Sequence, residues 1–519
     1  MTALDPRIAD ALARLPDYLS GHVLVSIAAL VLGLTISFPL AVLAADRPWL
    51  RSILLSATSI VQTIPGLALL ALFYPLLLAL AALSAEAFGW SFSAFGFLPA
   101  MLALALYSML PVVRNTITGL LGLDTSITEA CLGVGMTRGQ ALRMVELPLA
   151  LPMIMGGVRT AAVWVIGTAT LSTPIGQTSL GNYIFTGLQT QNWVFVLFGC
   201  AAAALLAIVV DQLLALMETG AQMRSRARVT FGALGLVLVV AAALAPTLAR
   251  PRADYVIGAK PFAEQYILAA LIGQRLENAG QSASLKEGLG SAVVFTALAN
   301  NEIDVYVEYT GTLWANQMGR TDAEPRAVVL SEVTRWLKDT YGITMAGTLG
   351  FENSYALAML DTRANAMGIR TMEDLARHAP ELSIAGDYEF FGRPEWTALR
   401  DAYGLRFREE RAMQAEFMYP AVASGDVDVI SAYTSDGRVA KFGLTTIADD
   451  KQAIPPYDAI LLIAPKRADD RVLRDALKPL TGAIDIKLMR EANLRASDGG
   501  DSGTPAAVAR WMWQRIQGR

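Results

Sequence analysis

No lysine occurs in this chain before Lys260. The first 250 residues carry 12 arginines and 10 acidic residues, 22 charges in all, whereas the remaining 269 carry 66. A water-soluble domain has about a quarter of its residues charged, so the first half is too poor in charge to be solvated by water and belongs in lipid. The chain therefore divides into a membrane domain, residues 1–250, and a water-soluble domain, residues 251–519.

Crossing a hydrocarbon core of about 30 Å takes about 20 apolar residues. Six stretches qualify: Val23 to Ala44, Ile53 to Leu83, Phe97 to Val113, Leu151 to Ser172, Val194 to Met217 and Val229 to Leu248. Pro65, Gly66 and Pro75 interrupt the second, which is expected to kink or split. The expectation is an all-α polytopic membrane domain of about six transmembrane helices. Arg47 and Arg51 follow the first span, Arg114, Arg138 and Arg143 the third, and Arg224, Arg226 and Arg228 the fifth. The connections Ser84 to Gly96 and Thr173 to Trp193 carry no lysine or arginine. Cationic loops stay in the cytoplasm, so the N-terminus and everything after Arg250 are expected outside, in the periplasm or the cell exterior. Met1 to His22 reads as a short surface helix and not a signal peptide. Arg159 falls inside the fourth span and is expected to face other helices, while Asp211 and Glu218 read as interfacial residues.

The soluble half alternates strand-like and helical runs. Strands are expected at Asp254 to Lys260, Ile303 to Tyr309, Ala356 to Leu360, Leu382 to Ala385, Val427 to Ala432 and Ala459 to Ala464, with an amphipathic helix over Phe262 to Asn278. The alternation predicts an α/β domain with mainly parallel sheets. About 265 residues exceeds one ordinary core, so two lobes are expected, one at about 254–355 plus 465–519 and the other at about 356–464. Ligands of such folds sit where strands end, between lobes. Both cysteines, Cys131 and Cys200, lie in the membrane half, and His378 is the soluble half's single histidine. That composition excludes a disulfide framework or a Cys-based metal site there and leaves little basis for a membrane-anchored enzyme. A net charge of −4 with no basic stripe speaks against nucleic acid as a partner.

Two residue patterns carry function. The connection after the third span reads Glu129-Ala130-Cys131, then Gly135, then Val145-Glu146-Leu147-Pro148. Gly135 permits a tight turn between two helices, and Pro148 is expected to end the second. In the soluble half, the expected strand ends hold Lys260, Glu308 to Thr312, Asn353 to Tyr355, Phe390 to Arg393, Ala432 to Arg438 and Pro455 to Asp458, segments rich in tyrosine and in cations. Tyr306, Trp314 and Trp396 are assigned to packing. No Gly-x-x-x-x-Gly-Lys-Ser/Thr segment is present, so nucleotide binding falls to another polypeptide.

The first pattern resembles the coupling loop of ABC importer permeases, with Cys131 in place of a second alanine and Val145 in place of isoleucine. The second resembles the substrate-binding domains of glycine betaine, carnitine and choline ABC importers, including forms that carry permease and receptor in one chain. The resemblance implies that Glu129, Ala130, Gly135, Leu147 and Pro148 dock on a cytoplasmic ATPase. It also implies a tyrosine box of Tyr309, Tyr355, Tyr433 and Tyr457, and a carboxylate clamp of Lys260, Thr312 and Arg393. Asn353 stands where the family can have an acidic residue, which leaves the choice among cations open. The implied assembly is a homodimer in the membrane lipid with two ATPase copies, ATP and magnesium being held by those copies and no cofactor by this chain. The implied solute is a small cation or zwitterion such as glycine betaine, choline or carnitine. Ergothioneine is an alternative ligand, and a ligand-gated sensor or channel is an alternative use of the same architecture.

Overall fold

The computed structural model describes residues 6–88, 92, 96–189, 192–249, 253–320, 322, 324–387, 390–497 and 503–518. It separates into a helical unit and a two-lobed α/β unit.

The helical unit is built from α1 (Pro6–Ala45), α2 (Pro48–Thr63), α3 (Gly66–Phe88), α4 (Phe97–Leu121), α5 (Thr125–Gly133), α6 (Arg138–Ala141), α7 (Leu147–Thr168), α8 (Gly181–Gln189), α9 (Trp193–Gln222) and α10 (Arg226–Ala249). Among the described residues, six helical stretches are long and apolar enough to cross a membrane: Arg7–Ala45, Gly66–Phe88, Phe97–Leu121, Arg138–Ile175, Trp193–Gln222 and Arg226–Pro246. The expected surface helix and first span are one continuous helix, α1, which runs through both Pro16 and Pro39. The expected second span is split between α2 and α3. Pro65 disfavours an α conformation at the residue before it, and Ile64 is extended with ψ 126°. Tyr107 of α4 spans the break: its hydroxyl donates to the Ile64 carbonyl, and its own carbonyl accepts from Gln62 Nε2 at 3.3 Å. Polar backbone exposed by a broken helix is thereby satisfied where water is absent. Gly157 lets α7 approach α4, since a Cβ there would lie 2.7 Å from the Pro111 carbonyl oxygen.

Residues from Ala253 onward form the two lobes. The strands are β1 (Tyr255–Gly258), β2 (Ala283–Lys286), β3 (Val305–Tyr309), β4 (Thr344–Glu352), β5 (Tyr355–Leu360), β6 (Ser383–Gly386), β7 (Glu409–Ala412), β8 (Val429–Tyr433), β9 (Leu444–Ile447) and β10 (Asp458–Ile463). The first sheet has the order β2-β1-β3-β10-β4 and the second β7-β6-β8-β5-β9. The sheets are mixed, not mainly parallel: of the eight strand pairings, β10 with β3 and β4 and β5 with β8 and β9 are antiparallel. Because β10 completes the first sheet, the chain is back in the first lobe by Asp458, ahead of the expected boundary at 465. The expected helix is α11 (Ala263–Asn278), whose buried face includes Ile267, Leu268, Leu271 and Ile272. Strands β1, β3, β5, β6, β8 and β10 coincide with the apolar runs.

Candidate functional site

The antiparallel register of β5 and β8 sets Tyr355 opposite Tyr433. Directly opposed side chains on one sheet face are neighbours, and the two ring centroids are 4.8 Å apart. Tyr457, from the residue before β10, meets Tyr355 edge-on at 6.2 Å. Tyr309 closes β3 and joins the group through Phe262, which stacks on Tyr309 and on Tyr433, each at 6.3 Å. Phe390 adds a sixth ring 5.4 Å from Tyr355. The structure thus gathers all four sequence-predicted tyrosines from both lobes and supplies Phe262 as the link between them. Phe262 caps α11 two residues after Lys260, and its aromatic character in the Gly-Ala-Lys-Pro-Phe turn was the available signal.

Three of the four phenols, those of Tyr309, Tyr433 and Tyr457, are held by acceptors that the sequence pattern did not single out. Tyr309 Oη donates to Glu264 Oε1 at 2.5 Å, and Tyr457 Oη donates to Glu395 Oε1. Tyr433 Oη lies 3.2 Å from Asp387 Oδ2 and 3.1 Å from Tyr355 Oη. Burial, followed by the adjacent carboxylates, pushes the Tyr309, Tyr433 and Tyr457 phenols well above their ordinary value. They stay neutral, and their electron-rich faces suit a cation. Thr310 fixes Tyr457 from below: its hydroxyl donates to the Pro456 carbonyl at 2.8 Å and accepts from the Asp458 N–H at 2.9 Å. Gly311 is required beside it, because any side chain there would run into the Tyr457 ring.

The expected carboxylate clamp is divided. Arg393 lies 5.4 Å from the Tyr355 ring centroid, with Nη1 3.9 Å from Glu395 Oε1. Lys260 is sealed in an ion pair with Glu308, the two side chains 3% and 1% exposed. Glu308 also accepts from Tyr306 Oη at 2.9 Å and from the Tyr309 N–H at 2.8 Å. Tyr306, read from sequence as packing, is therefore an anchor for that carboxylate. Thr312 is buried in the helical turn Thr310–Thr312 that follows β3.

In the helical unit the Glu129 to Pro148 segment forms α5 and α6, two short helices. Asp124 caps α5 and accepts from the Ser126 N–H at 2.9 Å, while Thr137 and Gln140 form a reciprocal cap on α6. Gly135 between them takes φ +84° in open space, so its left-handed backbone alone calls for glycine. Pro148 does not end a helix, contrary to expectation. It falls in the first turn of α7, where a missing N–H is tolerated, and the chain enters that helix directly from a π-helical turn over Leu142–Glu146. Glu129 and Ala130 are exposed, as are Leu132, Val134 and Met144. Arg138 pins the segment, donating to buried Glu146 and to Asp46 at 2.7 Å.

Comparison with known proteins decides the family. A family model described as the substrate-binding domain of an ABC-type glycine betaine transport system matches residues 253–514. A second, for the inner-membrane component of binding-protein-dependent transport systems, matches residues 37–222. The chain belongs to this family of ABC importers. It is a multi-pass membrane protein and transporter subunit that carries the permease and, outside the membrane, the substrate-binding domain in one polypeptide. It is similar to the ergothioneine transport permease/ergothioneine binding protein EgtU of Helicobacter pylori, with 29% identity over 80% of this chain and 74% of the relative. The choline transport system permease protein OpuBB of Bacillus subtilis is 39% identical over 38% of this chain and 83% of its own length. A crystal structure of a glycine betaine/carnitine/choline ABC transporter aligns with 51% of this chain and 99% of its own, with 25% identity and a TM-score of 0.45.

Proposed function

We propose that this importer moves a quaternary ammonium solute, held by the rings of Tyr309, Tyr355, Tyr433 and Tyr457 with Phe262 between the lobes. The observation that carries the reading is the aromatic cluster assembled from both lobes around Tyr355. A trimethylammonium group has no N–H to donate, so ring faces are its natural partner, each contributing about 0.5–2 kcal/mol. Arg393 is the cation placed to meet a carboxylate at the far end of a betaine through parallel N–H groups. Lys260 contributes indirectly, since its charge is committed to Glu308. Lobe closure brings rings from both lobes onto one ligand. A homodimer of the chain forms the pore, and two copies of a separate ATPase, loaded with ATP and magnesium, dock on the segment from Glu129 to Pro148. The similarity to an ergothioneine binding protein over 80% of the chain favours a second ligand within the same class, a thiol-imidazole betaine.

Titration of the purified protein tests the reading. Tyr433→Leu or Tyr457→Leu keeps apolar volume but removes the ring, and should weaken the preferred cation by about 5- to 30-fold, with Phe replacements losing less. An uncharged isostere with carbon in place of the quaternary nitrogen should bind weakly throughout. Equal affinity for that isostere, or Leu variants that bind normally, would show the tyrosines to be packing alone.

A further inference from the structure

We propose that Glu395 is a specificity-determining residue that accepts a hydrogen bond from the solute, so that the solute is a quaternary ammonium compound bearing an O–H or N–H group. The inference rests on the quaternary ammonium reading above and narrows it. Glu395 lies in the first turn of the helix Pro394–Tyr403 and is 1% exposed. Its Oε1 accepts from the hydroxyl of Tyr457, one of the cage rings, and Arg393 Nη1 stands 3.9 Å from the same oxygen. Its Oε2 is buried and has no hydrogen-bond partner among the described residues.

That oxygen is an exception. Glu264 uses both carboxylate oxygens, taking Tyr309 and Asn353 on one and Asn493 on the other. Glu308 likewise engages Lys260 and the Tyr309 N–H on one and Tyr306 on the other. Among the described residues of the two lobes, Glu395 Oε2 is the one buried carboxylate oxygen left without a donor. A carboxylate only accepts, and a buried acceptor without a donor is destabilising. The cost is recovered when a ligand brings the donor to the side of the tyrosine cage where the carboxylate stands. Glycine betaine has neither N–H nor O–H and cannot do this. Choline and carnitine carry a hydroxyl, and an imidazole-thione betaine carries ring N–H groups.

The decisive measurement is titration of the full chain in detergent with choline, carnitine and ergothioneine against two donor-free cations, glycine betaine and the methyl ether of choline. At least one donor-bearing cation should bind about 10-fold or more tightly than both donor-free ones, the value of a hydrogen bond to a charged acceptor. Where choline binds, Glu395→Gln should bring choline and its ether within about 3-fold of each other, because the amide Nε2 donates and either oxygen can accept. The wild-type panel decides the matter even where that variant folds poorly. Glycine betaine or the ether binding as tightly as every donor-bearing cation would overturn the role of Glu395 and leave the cation reading standing. Failure of all five to bind would overturn the quaternary ammonium reading itself.

Discussion

In the helical unit, Arg159 of α7 grips Asp211 of α9 through two bonds of 3.0 Å and Glu218 through one of 2.8 Å, yet the three side chains remain 30%, 23% and 18% exposed. In the two-lobed unit, Lys260 and Glu308 are sealed almost completely and surrounded by further donors. The first arrangement ties one helix to another by side chains reaching across, because apolar helices in lipid have no hydrophobic drive to associate and polar contacts substitute for it. The second stabilises a strand end, so that Tyr309, next to Glu308, is delivered at a fixed place. Charge in the helices joins elements, whereas charge in the lobes positions a binding surface.

The largest effect should come from breaking the sealed pair. Lys260→Met strands the Glu308 carboxylate and should cost about 3–5 kcal/mol of stability, read as a lowered unfolding temperature of the purified protein. Adding Glu308→Gln, which keeps an acceptor for Tyr306 and for the Tyr309 N–H, should recover more than half of the loss. Unchanged stability in Lys260→Met, together with weaker binding of carboxylate-bearing solutes, would instead make Lys260 a ligand contact and erase the contrast.

A smaller loss is expected in the helices. Arg159→Ala leaves Asp211 and Glu218 facing each other without a cation, at about 2–3 kcal/mol by the price of charge in a bilayer. Asp211→Asn should cost about half as much, since Arg159 retains Glu218. Unfolding followed in lipid nanodiscs gives both numbers. Equal losses in the two variants would mean that Arg159 serves Asp211 alone and that Glu218 is a bystander.

Legibility from sequence divides along the same line. Hydropathy reported the helices because lipid imposes one requirement along their whole length, and Pro65 marked the break that separates α2 from α3. The continuity of α1 was hidden because the charges at Arg7, Asp10, Arg14 and Asp17 look like a surface segment, although the helix runs through all of them without a break. In the lobes, apolar strands β1, β3, β5, β6, β8 and β10 were legible. Strands β2, β4, β7 and β9 were not: β7 reads Glu-Glu-Arg-Ala and is exposed throughout, and β2 and β4 are largely half-exposed edges. The tyrosines stood out by type and position. Their partners Glu264, Asp387 and Glu395 did not, because an acidic residue on a helix or loop reads as solvated until tertiary packing closes over it. Arg159 faces another helix as expected, but its partners Asp211 and Glu218 were read as interfacial, because the pairing spans two helices and 52 or more residues of chain, a distance no local pattern reports.

The smallest expected effect concerns Glu264, where the two ways of handling charge meet in one group. It is buried, as Glu308 is, but among the described residues no cation is paired with it. Four neutral donors face it: Tyr309 Oη at 2.5 Å, Asn353 Nδ2 at 3.0 Å, Asn493 Nδ2 at 2.9 Å and the Ser435 side chain. Burial raises its pKa above the ordinary 4.5, with the hydrogen bonds opposing the rise and nearby Asp436 adding to it. The sign follows from proton uptake. Between the ordinary value and the raised one, the folded chain holds a proton that the unfolded chain has released, so stability falls as pH rises through that window and levels off above it. Glu264→Gln removes the titration. The amide oxygen still accepts from Tyr309 and Asn353, but the amide nitrogen now confronts Asn493, so the net change at neutral pH should stay within about 1 kcal/mol. Unfolding temperatures of wild type and variant, compared from pH 4 upward, should converge on a fixed offset once the window is passed, with the wild type gaining relative stability toward acid. Parallel curves at every pH would show that Glu264 keeps its ordinary affinity for protons, and that neutral donors shield a buried charge as fully as Lys260 shields Glu308.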